Sequence, residues 1–418
     1  MTDSSSSISR TIDEVARTAY GRLIAILAKS TGDIASAEDA LADAFAKALT
    51  QWADDGIPDN PQSWLLTVAR NRQRDRMRSH SHRMSVAGDA LDNLERREDA
   101  AIAVMNTLDP QALPDKRLEL MLVCAHPAIN ETARTPLMLQ TVLGLDAATI
   151  ATAFTVPTAT MAQRLVRAKA KIKQAGIAFV VPDADVINDR LDNVLEAIYG
   201  AYAAQWQDAD DAGNETARDL CQEALFLADI LVELLPGHAE SLGLAAMLWF
   251  IHARAPARQG AEFVPLEDQD PKFWNPLGIA TANALLARAS AQNTLGRYQL
   301  EAAIQSVHAA RRDTGLTDWR AITQLYEGLA RLYPTLGGAV ARAAAIGQAY
   351  GPEAGLKALD DLDAADTKAF QPAWATRAYL SAKAGDMPAA RHAYQRAIAL
   401  TTTIPVRRFL QQCHDRLD

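Results

Sequence analysis

The sequence predicts an all-α protein: two small helical domains, the second containing a helix-turn-helix, followed by a C-terminal array of helical hairpins. Three observations carry that expectation. Hydrophobic residues fill 49% of the 418 positions but aromatic residues only 6%, so the apolar content is largely the Ala and Leu that favour helices. Apolar residues recur at three- and four-residue spacing in segment after segment. Gly and Pro are few (21 and 18), and in the second half they punctuate pairs of helical segments. A single core rarely grows past about 250–300 residues, so two or three domains are expected.

The elements follow in order. Helical spacing runs through Ile12–Lys29 and again through Ser36–Trp52, and Ala53–Pro61 (ADDGIPDNP) reads as a loop. A third helix spans Gln62–Ser79. The polar, weakly periodic stretch from His80 to about Glu98 reads as a flexible linker. Helices are then expected at Lys116–Cys124, Asn130–Leu143, Asp146–Phe154 and Thr158–Ala175, with Gly176 ending the last. Beyond Pro182, breaks at Pro236–His238, Leu295–Tyr298 and Ala384–Pro388 separate helix pairs. In Pro372–Leu400, Trp374, Ala378, Gly385, Ala390, Tyr394 and Ala397 fall at tetratricopeptide (TPR) spacing. The expected domains are 1–80, a linker 81–113, 114–180, and a TPR-like extension 181–418.

The charge is divided unevenly. Met1–Val180 carries 21 Lys and Arg against 21 Asp and Glu, so the whole net charge of -9 lies in Val181–Asp418. Within the neutral part, positive charge gathers in two helices, the pattern of a localised nucleic-acid contact. One is Leu145–Lys173, read as a helix-turn-helix with an Asp146 N-cap and a second helix capped by Thr158. There Met161, Leu165, Ala168 and Ile172 share a buried face, while Arg164, Arg167 and Lys171 share another. A helix-turn-helix places the start of its second helix in the major groove, which makes Thr158, Thr160, Gln163 and Arg164 candidates for base edges. Arg167, Lys169, Lys171 and Lys173 would lie along phosphates. A solvated basic face has a similar composition, but no acid occurs between Thr158 and Gln174. The other basic helix is Trp64–Arg78, where Arg70, Arg74 and Arg78 recur every fourth residue and only Asp75 opposes them. Such density is unfavourable unless a polyanion or nearby acids compensate.

These segments resemble the extracytoplasmic-function (ECF) sigma factors of bacterial RNA polymerase. AEDALADAFAKAL at Ala37–Leu49, the loop ending in Pro61, and PQSWLLTVARNRQRDRMR after it are similar to sigma domain two. Leu145–Lys173 is similar to the promoter-reading part of sigma domain four. Leu120–Gln140, Leu266–Trp274, Arg297–Ala309 and Thr317–Leu329 resemble a subgroup with a long TPR-like extension, so the resemblance covers nearly the whole chain. It implies a non-catalytic cytoplasmic protein, without cofactor, that binds core RNA polymerase and promoter DNA. Its extension would regulate activity or bind a protein or ligand partner. By the same resemblance, Glu38, Asp39, Asp43 and Phe45 contact the clamp of the polymerase largest subunit. The loop Asp54–Ser63 with Asn71 captures an unstacked base of the minus-ten element, and Arg70, Arg74 and Arg78 hold the strand. Thr160, Gln163, Arg164 and Arg167 read the minus-thirty-five element. Ala42, Leu49 and Thr149 depart from the family's frequent Gln, Trp and Glu, and Ala339–Gly347 lacks a usual Asn before its Arg.

Other classes find less support. The longest apolar run, around Leu242–Ile251, falls short of the roughly 18–20 residues of a membrane span, and the N-terminus lacks a signal pattern. The three cysteines lack metal or redox spacing, which leaves structural roles for Cys124 and His126, and no phosphate loop, dinucleotide turn or nucleophile elbow occurs. Glu267, Asp268 and Asp270 are expected to cap helices or pair with Arg254 and Arg258. A helical-repeat adaptor or ligand-sensing protein with an auxiliary DNA-binding module is the competing class, suited to an array with a concave surface. Such an adaptor has little use for a loop beside an arginine stripe at Trp64–Arg78.

Overall fold

The computed structural model describes residues 2–84, 116–154, 156–182, 184–203, 215–258, 263–401 and 403–417, and these contain helices and no strands. Apart from 81–84, the expected linker lies outside the described residues. The chain divides into two compact units, Met1–Gly200 and Ala201–Asp418. The division falls at Gly200, inside a helix, some way past the expected boundary at 180. The two N-terminal segments expected as separate domains belong to one unit.

Unit one begins with α1 (Thr2–Thr31), α2 (Ile34–Asp55) and α3 (Pro61–Met84). Asp33 starts α2 by accepting from the Ser36 amide at 3.1 Å. The buried residues Ile34, Ala37, Leu41, Ala44, Ala48 and Trp52 then follow helical spacing along one stripe. Gly56, at φ 85°, turns the chain out of α2. Asn60 accepts from the Ser63 amide at 3.1 Å and opens α3, with Pro61 in its first turn. Trp52 and Trp64 close the loop edge to face, with centroids 5.4 Å apart. Helix α1 packs on both α2 and α3.

The chain resumes with α4 (Arg117–Cys124), α5 (Glu131–Leu143), α6 (Ala147–Ala153), α7 (Thr158–Gln174) and α8 (Ala184–Ala203). Asp146 caps α6 as expected, accepting from Ala148 and Thr149 amides at 2.8 and 2.9 Å. Thr158 does not cap α7: the N-cap is Pro157, and no side chain bonds there. Met161, Leu165, Ala168 and Ile172 are buried as the periodicity requires, the three larger ones contributing about 1.5–3 kcal/mol each. At the far end Gly176 takes φ 59°. The Gly176 and Ile177 amides bond back to Lys173 and Ile172 carbonyls at 3.2 Å, a Schellman closure.

Helix α1 also packs against α4 and α5. Gly21 makes this possible, since a Cβ there would stand 2.1 Å from the Val142 carbonyl oxygen. Lys29 of α1 meets Glu119 of α4 at 3.5 Å, and Lys116 meets the same carboxylate at 3.1 Å.

Unit two, after the end of α8, comprises α9 (Glu215–Leu234), α10 (Ala239–Ala253), α11 (Pro276–Ser290), α12 (Arg297–Ala309) and the single turn α13 (Arg311–Thr314). It continues through α14 (Trp319–Leu332), α15 (Leu336–Tyr350), α16 (Pro352–Asp360), the single turn α17 (Ala364–Thr367), α18 (Gln371–Lys383), α19 (Met387–Leu400) and α20 (Ile404–Asp415). Helices pack mainly on near neighbours in sequence: α10 on α11 and α12, α15 on α14 and α16, α19 on α18 and α20. Ala378 and Ala390 are fully buried between α18 and α19, with Gly385 at φ 81° in the turn. The N-cap of α12 is Gly296, which has no side chain to offer. Glu240 of α10 replaces it by accepting from the Tyr298 and Gln299 amides at 2.8 and 3.2 Å.

Candidate polymerase- and DNA-binding surface

Every fourth position of α3 past the Trp64 anchor turns the same way, which brings Arg70 and Arg74 half-buried along one side with Asn71 exposed beside them. Arg74 donates to Asn71 Oδ1 at 2.7 Å, which joins two of the four residues expected to handle a melted strand. The side chain of Arg78 lies outside the described residues. Asp54–Ile57, the last residues of α2 and the first of the loop after Trp52, are exposed. Ser63 and Gln73 are 6% and 4% exposed, yet Ser63 Oγ and Gln73 Nε2 meet no acceptor or donor in the protein.

Arg72 and Arg76, on the other side of α3, answer the question of like-charge repulsion. Arg76 bonds Asp39 and Asp43 of α2 at 3.2 Å each, and Arg72 approaches Asp43 at 3.6 Å. Two of the four residues expected to contact polymerase therefore also fasten α2 to α3. These pairs are solvent-exposed, and each stabilises by about 0–1 kcal/mol. Asp39, Ala42 and Leu49 remain exposed on one face of α2, Leu49 at 52%, while Phe45 is half-buried.

Glu38 faces differently. Its Oε2 accepts from Lys169 Nζ of α7, while Oε1 has no partner. Burial raises the Glu38 carboxyl above its ordinary range, and Lys169 offsets this only in part. A turn later Lys173 pairs with Asp33 at 2.7 Å. Burial alone would raise Asp33, but Lys173 and the Ser36 and Ala35 amides bring it below the usual carboxylate value. Lys169 and Lys173 were expected along phosphates; instead they hold α7 against α2. Their spacing on α7 differs from that of Arg164, Arg167 and Lys171, a difference that pointed to a separate face without revealing what it meets.

The opposite face of α7 is open. Thr158, Thr160, Gln163, Arg167 and Lys171 are exposed and Arg164 is half-buried. The first turn and the basic ridge thus sit together, as a major-groove contact requires.

The expected minor features have structural roles. Cys124 is buried, hydrogen-bonded to Thr141 at 3.2 Å, and burial pushes its thiol up to about 12, far from a reactive thiolate. His126 accepts from the Ala128 amide at 3.0 Å in the turn that follows. Asp270 caps a short helical turn through the Lys272 amide at 3.0 Å. Glu267, however, accepts from Gln348 and from Tyr379 Oη at 3.3 Å rather than pairing with Arg254. No group of three or more His, Cys, Asp or Glu that could hold a metal occurs among the described residues, and no described helix is long and apolar enough to cross a membrane.

Residues 15–83, which contain most of α1, all of α2 and nearly all of α3, match the family model of Sigma-70 region 2, and residues 190–290 match a family of unknown function (DUF6596). Over 171 residues the chain is 29% identical to a probable RNA polymerase sigma factor, RfaY, of Xanthomonas campestris pv. campestris, covering 37% of this chain and 40% of that one. The acidic helix, loop and arginine helix of the N-terminal unit thus carry a Sigma-70 region 2, which supports an RNA polymerase sigma factor and implies binding to core polymerase. Over 383 residues the chain is 35% identical to the uncharacterized protein R00370 of Rhizobium meliloti, covering 91% of this chain and 90% of its relative. The chain belongs to the same family as that protein. No solved structure matches.

Proposed function

We propose that this protein is an extracytoplasmic-function RNA polymerase sigma factor of the cytoplasm, without catalysis of its own, that directs promoter-specific initiation. In this reading the TPR-like extension regulates activity or binds a partner. The observation that carries the reading is the Sigma-70 region 2 match laid over a helix that follows an exposed loop and carries Arg70, Asn71 and Arg74. A melted strand needs backbone cations and a pocket for a splayed base, and this corner supplies donors for both. The second helix of the helix-turn-helix, with Thr158, Thr160, Gln163, Arg164 and Arg167, would read the duplex upstream, and Lys171 would lie along its phosphates. Asp39, Asp43 and Phe45 would meet the polymerase clamp directly, and Glu38 once Lys169 releases it.

The test is reconstitution of the full chain with core RNA polymerase on genomic DNA, followed by mapping of RNA start sites. Discrete starts that share upstream elements are expected. A chain that neither binds core enzyme nor selects starts, including after removal of 181–418, would refute the reading.

A further inference from the structure

Arg254 and Arg311 of the C-terminal unit feel each other's charge, and among the described residues neither is paired with a carboxylate. Arg254, at the end of α10, is only 5% exposed. Its Nη2 donates to Gln305 Oε1 at 2.6 Å, while Nε and Nη1 find no acceptor among the described residues. Arg311, just past α12, lies over the Trp274 ring at 5.1 Å from its centroid. It donates to the carbonyls of Leu266 at 3.1 Å and Glu267 at 3.0 Å, and to that of Gln269. Among the described residues, every acceptor on these two arginines is a neutral oxygen. Trp274 is 1% exposed, and its indole N–H is also without an acceptor. A third arginine, Arg258, is buried on the adjoining turn Ala255–Arg258.

Buried donors of this kind are rare in native cores, and a buried cation is costly unless an anion and hydrogen bonds accompany it. The unsatisfied atoms here are chiefly donors, Nε and Nη1 on two different edges of the Arg254 guanidinium and the Trp274 indole N–H, with Gln269 Oε1 as the acceptor among them. We propose that Arg254, with Arg311 and Trp274 beside it, forms a binding site for a small free oxyanion of the size of inorganic phosphate or a short carboxylate. Gln305, His308 and Arg311, at the edge of the cluster, are half-buried. Burial, then Arg254 and Arg311, push His308 down to about 3, and burial with Arg258 lowers His252, so both imidazoles are neutral and leave the positive field to the arginines. Arg254, Arg258, Gln269 and Trp274 all fall within residues 190–290, which would give that family of unknown function a ligand site. The site is independent of polymerase or promoter binding.

The experiment is calorimetric titration of the full chain with sodium phosphate and, separately, sodium acetate, each against sodium chloride at matched ionic strength. Saturable one-to-one binding of phosphate, of acetate or of both supports the site, and the preferred anion identifies the ligand group. Arg254→Met should weaken binding by roughly tenfold or more while leaving the helical circular dichroism unchanged, and Arg254→Lys should weaken it less, because one donor fork becomes a point charge. Trp274→Phe, which keeps the ring and removes the N–H, provides a second variant if Arg254→Met fails to fold, and should also weaken binding. The proposal is overturned if neither anion binds more than chloride does, or if the folded variants bind as the wild type.

Discussion

Arg164 and Lys171 share a helix face yet should fail differently. On the proposed reading of α7 as the promoter-reading helix, Arg164 near its first turn would reach base edges, and Arg164→Ala is then expected to cost about 1–3 kcal/mol and relax preference at one base pair. Lys171 stands two turns on, so Lys171→Ala should weaken every sequence alike and lower the salt slope by about 1. Anisotropy of labelled promoter duplexes with reconstituted holoenzyme, at two salt concentrations, separates the two outcomes. His308 gives a residue-scale test in the other unit. Its folded pKa is depressed to about 3 from an ordinary 6.5, with Arg254 and Arg311 nearby and the Trp319 ring 5.4 Å away. The unfolded chain therefore takes up a proton below pH 6.5 that the folded chain refuses. Stability from this group is present above pH 6.5 and lost progressively as pH falls toward 3. Urea midpoints of His308→Gln should fall less steeply than those of wild type over that window. The His308 effect was not legible in the sequence, where His308 is one polar position among many. Arg311 and Trp319 follow it closely in the chain, but Arg254 comes from the end of α10, and no local pattern announces that meeting.

Helix pairing is where sequence periodicity and structure part company. The stripe Met161, Leu165, Ala168 and Ile172 was readable because one helix carries the whole pattern, and burial followed it. The partner of that helix was not readable: Lys169 and Lys173 contact Glu38 and Asp33, more than 130 residues away in the chain. Lys169→Ala would strand a largely buried carboxylate, at a cost of about 1–3 kcal/mol, and a double-mutant cycle with Glu38→Gln should recover the coupling. On the proposed reading the same substitution releases Glu38 toward the polymerase clamp, and tighter binding to core polymerase in a pull-down titration is then the expected functional outcome. Gly21 sets the other crossing. A methyl group there collides with the Val142 backbone, and Gly21→Ala is expected to destabilise unit one by about 1–3 kcal/mol in urea unfolding with little loss of helicity.

At the scale of the whole molecule, two compact units with separate cores should unfold separately. Scanning calorimetry is expected to resolve two transitions, and phosphate should raise only the one belonging to Ala201–Asp418 if the oxyanion site is as proposed. Gly21→Ala should lower only the other. The helical class, most helix limits and the basic faces of α3 and α7 were determined by the sequence alone, because propensity, capping and a period of 3.6 residues act over one or two turns. Tertiary structure decided which charges face solvent. It turned Arg72, Arg76, Lys169 and Lys173 onto acids, left Arg164 and Lys171 on an open face, and gathered Arg254, Arg311 and Trp274 around donors without acceptors. Such pairings depend on segments distant in the chain meeting in space, and no local pattern encodes that.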